Sequence, residues 1–317
     1  MSQGSTELDF STLWKKVFVM VTGYKPKIFS EDEKKKLLEK MTADNRAQDR
    51  DIRTCDKGVI EGLILDEVSL PECGGWLVSR ESNPKDCIIY YIHGGGFTNS
   101  CTKNRMSFVS YLVKKFGYDV FSIDYRLAPE YKAPCQVNDC VDGYKYLLER
   151  YSPDRIVVIG ESAGGNLAVC LALKARDTGL PLPKSLFPNS MASQFSEYTE
   201  SYRRCSLKTD FIVTMGIMEN MMGVYYNEEN VNDPYISPLY ADLRGLPHVL
   251  LTASNSECLL DDSVMMYEKL LEAGVDAELK IYDGLCHAFI ISPQMKDVVK
   301  KAYPDLEEYL KKQLPKK

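Results

Sequence analysis

Apolar residues near the start of the chain recur at helical spacing. Phe10, Leu13, Trp14, Val17, Phe18 and Val21 fall at i, i+3, i+4, i+7, i+8 and i+11, on one face of a helix. A second, charged helix is predicted over 32–41. The pattern then changes, and residues 59–65 and 75–78 read as antiparallel strands at a sheet edge. Ile88-Ile89-Tyr90-Tyr91-Ile92 is a continuous apolar run, as a strand covered on both faces requires. Strands are predicted over 119–123, 155–159, 248–252 and 278–282. Helices are predicted over 105–115, 138–151, 165–174, 262–272 and 294–310. Such alternation implies an α/β fold, a mostly parallel sheet flanked by helices on both faces.

Residues 180–246 break this rhythm. A long insertion inside an α/β domain is often a lid or binding element. It holds Met215, Met218 and Met222 at i, i+3 and i+7, a stripe suited either to lining an acyl pocket or to packing the insertion onto the core.

Histidine is scarce. Of only three in 317 residues, His93 opens His93-Gly94-Gly95-Gly96, and His287 lies in Asp283-Gly284-Leu285-Cys286-His287-Ala288-Phe289. Between them stands Gly160-Glu161-Ser162-Ala163-Gly164, a G-x-S-x-G sequence. A predicted strand precedes it and an apolar helix follows, the context of a nucleophile elbow. A serine nucleophile needs a base, usually histidine. His287 follows Ser162 in the chain and sits in a loop after a strand, so the base is assigned to it. His248, beside Pro247 at a strand start, is read as structural. His93 is read as a brace for the glycine loop, whose exposed N–H groups suit an oxyanion. The acid is expected after the 248–252 strand, where Glu257, Asp261 and Asp262 are available; the two aspartates are also placed to cap the next helix.

Composition narrows the alternatives. A net charge of −6 argues against nucleic acid and against a polybasic membrane patch. Ten cysteines lack paired spacing and form no C-x-x-C, so neither a disulfide framework nor a zinc site is expected. No apolar stretch approaches a membrane span, and the first residues lack a basic n-region. The expectation is a soluble, reduced, cytoplasmic protein.

Together with Asp124-Tyr125-Arg126-Leu127-Ala128-Pro129-Glu130, the HGGG and GESAGG motifs resemble the hormone-sensitive-lipase family of α/β-hydrolases, from about Asp86 to the C-terminus. The resemblance implies an α/β-hydrolase fold with a helical cap. Residues 1–50 would supply N-terminal cap helices, and 51–317 the catalytic domain, with a cap insertion at about 187–226. It implies oxyanion donors at Gly95, Gly96 and Ala163. The family's Asp-Pro-Leu-x-Asp stretch is replaced here by Glu257-Cys258-Leu259-Leu260-Asp261, which favours Glu257 as the acid, with Asp261 the alternative. The implied activity is a serine carboxylesterase acting on short acyl esters, acetyl esters among them, with no metal or organic cofactor. Rival readings are an amidase or deacetylase using the same triad, and a non-catalytic ligand receptor of the same fold. Retention of Ser162, Glu257 and His287 argues against the receptor. The expected partner is a small ester; family relatives pair through the sheet edge, so a homodimer stays open. Cys258 and Cys286, each beside a candidate catalytic residue, would lie near each other if their loops meet.

Overall fold

The computed structural model describes residues 50–80, 86–100, 102–214 and 223–315, together with Glu39 and Ala43. The helices expected within 1–41 and the methionine stripe at 215–222 lie outside the described residues. Eight strands form one sheet in the order β1-β2-β4-β3-β5-β6-β7-β8. They are β1 (Ile64–Ser69), β2 (Gly74–Ser79), β3 (Ile88–Ile92), β4 (Asp119–Asp124), β5 (Ile156–Glu161), β6 (Ser185–Asn189), β7 (His248–Ser254) and β8 (Ala277–Tyr282). β1 pairs antiparallel with β2, and β2 antiparallel with β4; from β4 to β8 every pairing is parallel.

The run in β3 explains itself here. Ile88, Tyr90 and Ile92 face one core and Ile89 and Tyr91 the other, all with no exposed surface. On the first face pack α2 (Cys135–Leu148), α3 (Ala163–Asp177) and α5 (Leu260–Glu272); on the second, α1 (Thr102–Tyr111) and α7 (Tyr303–Gln313). A short α4 (Glu200–Cys205) lies between β6 and β7, and α6 (Lys296–Lys301) precedes α7.

Three departures from the sequence reading have local causes. Residues 59–65 are not one strand: Lys57–Ile60 form a helical turn, Gly62 turns the chain at φ 71°, and β1 starts at Ile64. The helix expected over 294–310 is split, because Pro304 occupies the first turn of α7 and cannot continue α6. Third, Ser185–Asn189 form a central strand, so the interruption of the α/β rhythm begins after Asn189 rather than at 180 or 187. Pro188 disguises this strand, since proline lacks a ladder donor. The β6–β7 register tolerates it. Partners run Ser185 to His248, Leu186 to Val249 and Asn189 to Thr252, with none at Phe187 or Pro188.

Candidate active site

The parallel strands deliver their C-terminal ends to one edge, and the candidate residues lie there. β5 ends at Glu161 and α3 starts at Ala163, leaving Ser162 alone to reverse the chain at φ 55°, ψ −121°. For a residue with a Cβ this conformation costs about 1–3 kcal/mol and must be held by its surroundings. The Ser162 N–H donates to Asn189 O at 2.8 Å, and Ser162 O accepts from Gly165 and Asn166 at 3.0 and 3.2 Å. The flanking glycines are a steric necessity. A Cβ on Gly160 would sit 2.2 Å from Gly164 O, and one on Gly164 would sit 2.0 Å from Ile92 O.

His287, in the loop after β8, meets Ser162 across 125 residues of chain: its Nε2 is 2.9 Å from Ser162 Oγ. Its Nδ1 is 2.8 Å from Glu257 Oε2. Glu257 is fully buried, and its other oxygen, Oε1, accepts the Ser254 N–H at 2.7 Å and the Ser190 hydroxyl at 3.0 Å. Asp261 instead accepts the Ser201 N–H at 2.7 Å. Asp262 accepts the Ser193 N–H and hydroxyl at 2.8 and 3.1 Å and the Gln194 N–H at 3.3 Å. Of the three carboxylates considered, only Glu257 faces His287. The aspartates tie the start of the insertion to α5. Burial disfavours a charged His287 ring, but the hydrogen bond and charge of Glu257, aided by Asp210 and Glu161, outweigh it and raise its pKa above 6.5.

The glycine loop lies against this elbow. A Cβ on Gly94 would come within 2.7 Å of Glu161 O and 3.1 Å of Ser162 Cβ. Gly95 and Gly96 take φ of 101° and 60°, left-handed values that suit glycine. Ala163 opens α3, so its N–H belongs to the first turn, which has no intrahelical acceptor. His93 donates from Nδ1 to Gly94 O at 2.7 Å and stacks on Tyr125, with ring centres 4.1 Å apart. The Tyr125 hydroxyl in turn donates to His93 O at 2.8 Å. Burial, with Arg105 nearby, keeps the His93 ring neutral, its pKa well below the usual value. His248 lies away from the elbow, at the start of β7, 3.0 Å from Asp276.

A family model described as the alpha/beta hydrolase fold matches residues 89–291. The chain belongs to the α/β-hydrolase family. Its branch is the one resembling hormone-sensitive lipase. Among relatives of this hydrolase, the esterase LipU of Mycobacterium tuberculosis is 31% identical over 256 residues, 77% of this chain and 85% of LipU. An esterase of Acinetobacter venetianus is 30% identical over 224 residues, 70% of this chain and 74% of that one. The crystal structure of a hormone-sensitive lipase from a metagenome library superposes with a TM-score of 0.77 and 28% identity, covering 98% of this chain and all of that one.

Two residues of this hydrolase escaped the sequence reading. Glu161, the variable position of G-x-S-x-G, is buried and accepts the Gly94 N–H at 2.6 Å, tying the glycine loop to the elbow. Burial pushes its carboxyl up to about 7, against the stabilising Gly94 contact. Its place inside the motif was the available signal. Ser190 had none, since it follows the strand that Pro188 hides. Cys258 and Cys286 face different partners: the Cys258 thiol donates to Val213 O at 3.0 Å, and the Cys286 thiol lies 4.0 Å from Met295 Sδ. Burial raises both thiol pKa values, that of Cys286 to about 11. Among the described residues, no group of three or more His, Cys, Asp or Glu side chains is placed to hold a metal ion, and no helix is long and apolar enough to cross a membrane.

Proposed function

We propose that this carboxylic ester hydrolase cleaves short-chain acyl esters, acetyl esters among them, through a Ser162–His287–Glu257 triad and an acyl-enzyme. The observation that carries this reading is the unbroken relay from Ser162 Oγ to His287 Nε2 at 2.9 Å and from His287 Nδ1 to Glu257 Oε2 at 2.8 Å. Ser162 Oγ attacks the ester carbonyl while His287 takes its proton, and Glu257 stabilises the imidazolium formed. The carbonyl oxygen becomes an oxyanion held by the N–H groups of Gly95, Gly96 and Ala163. His287 then gives the proton to the departing alkoxide, and the alcohol leaves. Water, deprotonated by His287, attacks the acyl-enzyme, and the acid is released with Ser162 restored.

In this reading the partner is a small ester. The test is hydrolysis of p-nitrophenyl acetate, butyrate, octanoate and palmitate beside Ser162→Ala. Turnover of the short esters, lost in the variant, is expected; equal rates for the two proteins would end the reading.

A further inference from the structure

The end of β6 touches Ser162, Glu257 and the residue that follows His287. Asn189 O accepts the N–H of Ser162 at 2.8 Å. The next residue, Ser190, donates its hydroxyl to Glu257 Oε1 at 3.0 Å and accepts on the same oxygen the N–H of Ala288 at 3.1 Å. Ala288 follows His287 directly. One hydroxyl therefore joins the loop that carries the acid to the loop that carries the base. It can do so because Ser190 is fully buried and turned to φ 50°, while Ala288 is also left-handed at φ 53°. Ser190 is itself anchored to β7 by its N–H to Thr252 O at 2.8 Å.

The identity of the acid gives this bridge a purpose. A glutamate has one more rotatable bond than an aspartate, and its carboxylate has more ways to miss the imidazole. Two donors on Oε1, the Ser254 N–H and the Ser190 hydroxyl, leave Oε2 directed at His287 Nδ1. Both donors hold the same carboxylate oxygen, one from the backbone and one from a side chain. The second bond of the hydroxyl, from Ala288, holds the ring against that same carboxylate.

We propose that Ser190 is a positioning residue for ester hydrolysis, whose hydroxyl aligns Glu257 with His287; this rests on the triad reading above. It touches no substrate, so its loss should lower kcat and leave KM in place.

The test compares Ser190→Ala and Ser190→Gly with the unaltered protein on p-nitrophenyl butyrate, with rates per site titrated by a p-nitrophenyl phosphonate. Both variants should lose roughly 10- to 100-fold in kcat, the range for a hydrogen bond to a charged group, with KM within about twofold. Glycine relaxes the left-handed backbone, so recovery of activity in Ser190→Gly alone would assign the effect to strain and overturn the proposal. So would an unchanged kcat per titrated site, a change confined to KM, or failure of both variants to fold, each of which marks the hydroxyl as structural only. A Glu257→Gln background completes the test: adding Ser190→Ala there should cost less than threefold, and a full additive loss would overturn the alignment role. Ser162→Ala and Glu257→Gln alone report on the triad. If neither lowers kcat, the triad reading has failed; if both do and Ser190→Ala does not, only the positioning role has.

Discussion

Replacing Glu257 with glutamine should convert the imidazole into the wrong tautomer. The amide keeps the shape of the carboxylate, so packing is preserved. Its oxygen belongs at the Oε1 position, where the Ser254 N–H and the Ser190 hydroxyl both point. The amide NH2 then faces His287 Nδ1, and two donors meet where a donor and an acceptor stood. The ring answers by moving its proton to Nε2, which then donates to Ser162 Oγ and no longer accepts. Turning the amide over restores the base but sets its NH2 against the Ser254 N–H, with a penalty of about 1–3 kcal/mol for each buried mismatch. Loss of the negative charge beside the imidazolium adds to this. Together they come to about 4–5 kcal/mol, a fall in kcat of roughly 10³- to 10⁴-fold with little change in KM. The assay is steady-state hydrolysis of p-nitrophenyl butyrate, with residual activity referred to Ser162→Ala. A loss below about tenfold, or one seated in KM, would refute the reasoning. Asp261→Asn is the control, because that carboxylate serves the Ser201 N–H, and it should leave kcat within about twofold.

Other outcomes follow from the same geometry. As the proposed base His287 must be neutral, and its pKa is raised, so kcat/KM should climb with pH through a midpoint above 6.5; a midpoint below that value in a pH–rate profile would contradict the environment described. Burial of Asp262 raises its pKa from 3.8 to about 7, so between those values the folded state holds a proton the unfolded chain has lost, and stability falls as pH rises. Asp262→Asn should flatten that decline, which melting temperatures between pH 4 and 7 will show. Gly164→Ala should abolish soluble expression or cost several kcal/mol in denaturant unfolding, because its Cβ would lie 2.0 Å from Ile92 O, whereas Gly58→Ala, with no atom within 4 Å, should be nearly silent. Iodoacetamide at pH 7 should spare activity, since burial keeps the Cys258 and Cys286 thiols protonated; rapid inactivation would count against their placement.

Much of the framework was legible because its signals are local. The apolar run of β3, the strand before and helix after Ser162, and the motifs that carry Ser162, Glu257 and His287 can each be read within a short window. Strand β6 was not, because a proline in a central strand contradicts the general rule and only the gap in the β6–β7 register excuses it. Ser190 fell with it. The roles of Asp261 and Asp262 were also illegible: both lie in the first turn of α5, yet their acceptor oxygens reach residues 193, 194 and 201, and such partners depend on where the insertion folds back. Glu161 sat in plain view but within a position that the motif leaves open.

The relay joins residues 125 and 30 positions apart along the chain. None of its groups can find the others by local ordering, since they ride on loops after β5, β7 and β8. Their meeting requires the parallel pairings β5–β6, β6–β7 and β7–β8 to be in place, each a non-local contact with its own loop-closure entropy. With the triad acting as proposed, hydrolysis reports on the completed half-sheet. On that proposal a chain with native helices but an unzipped β6 should be inert, its turnover tracking sheet pairing and not helix content.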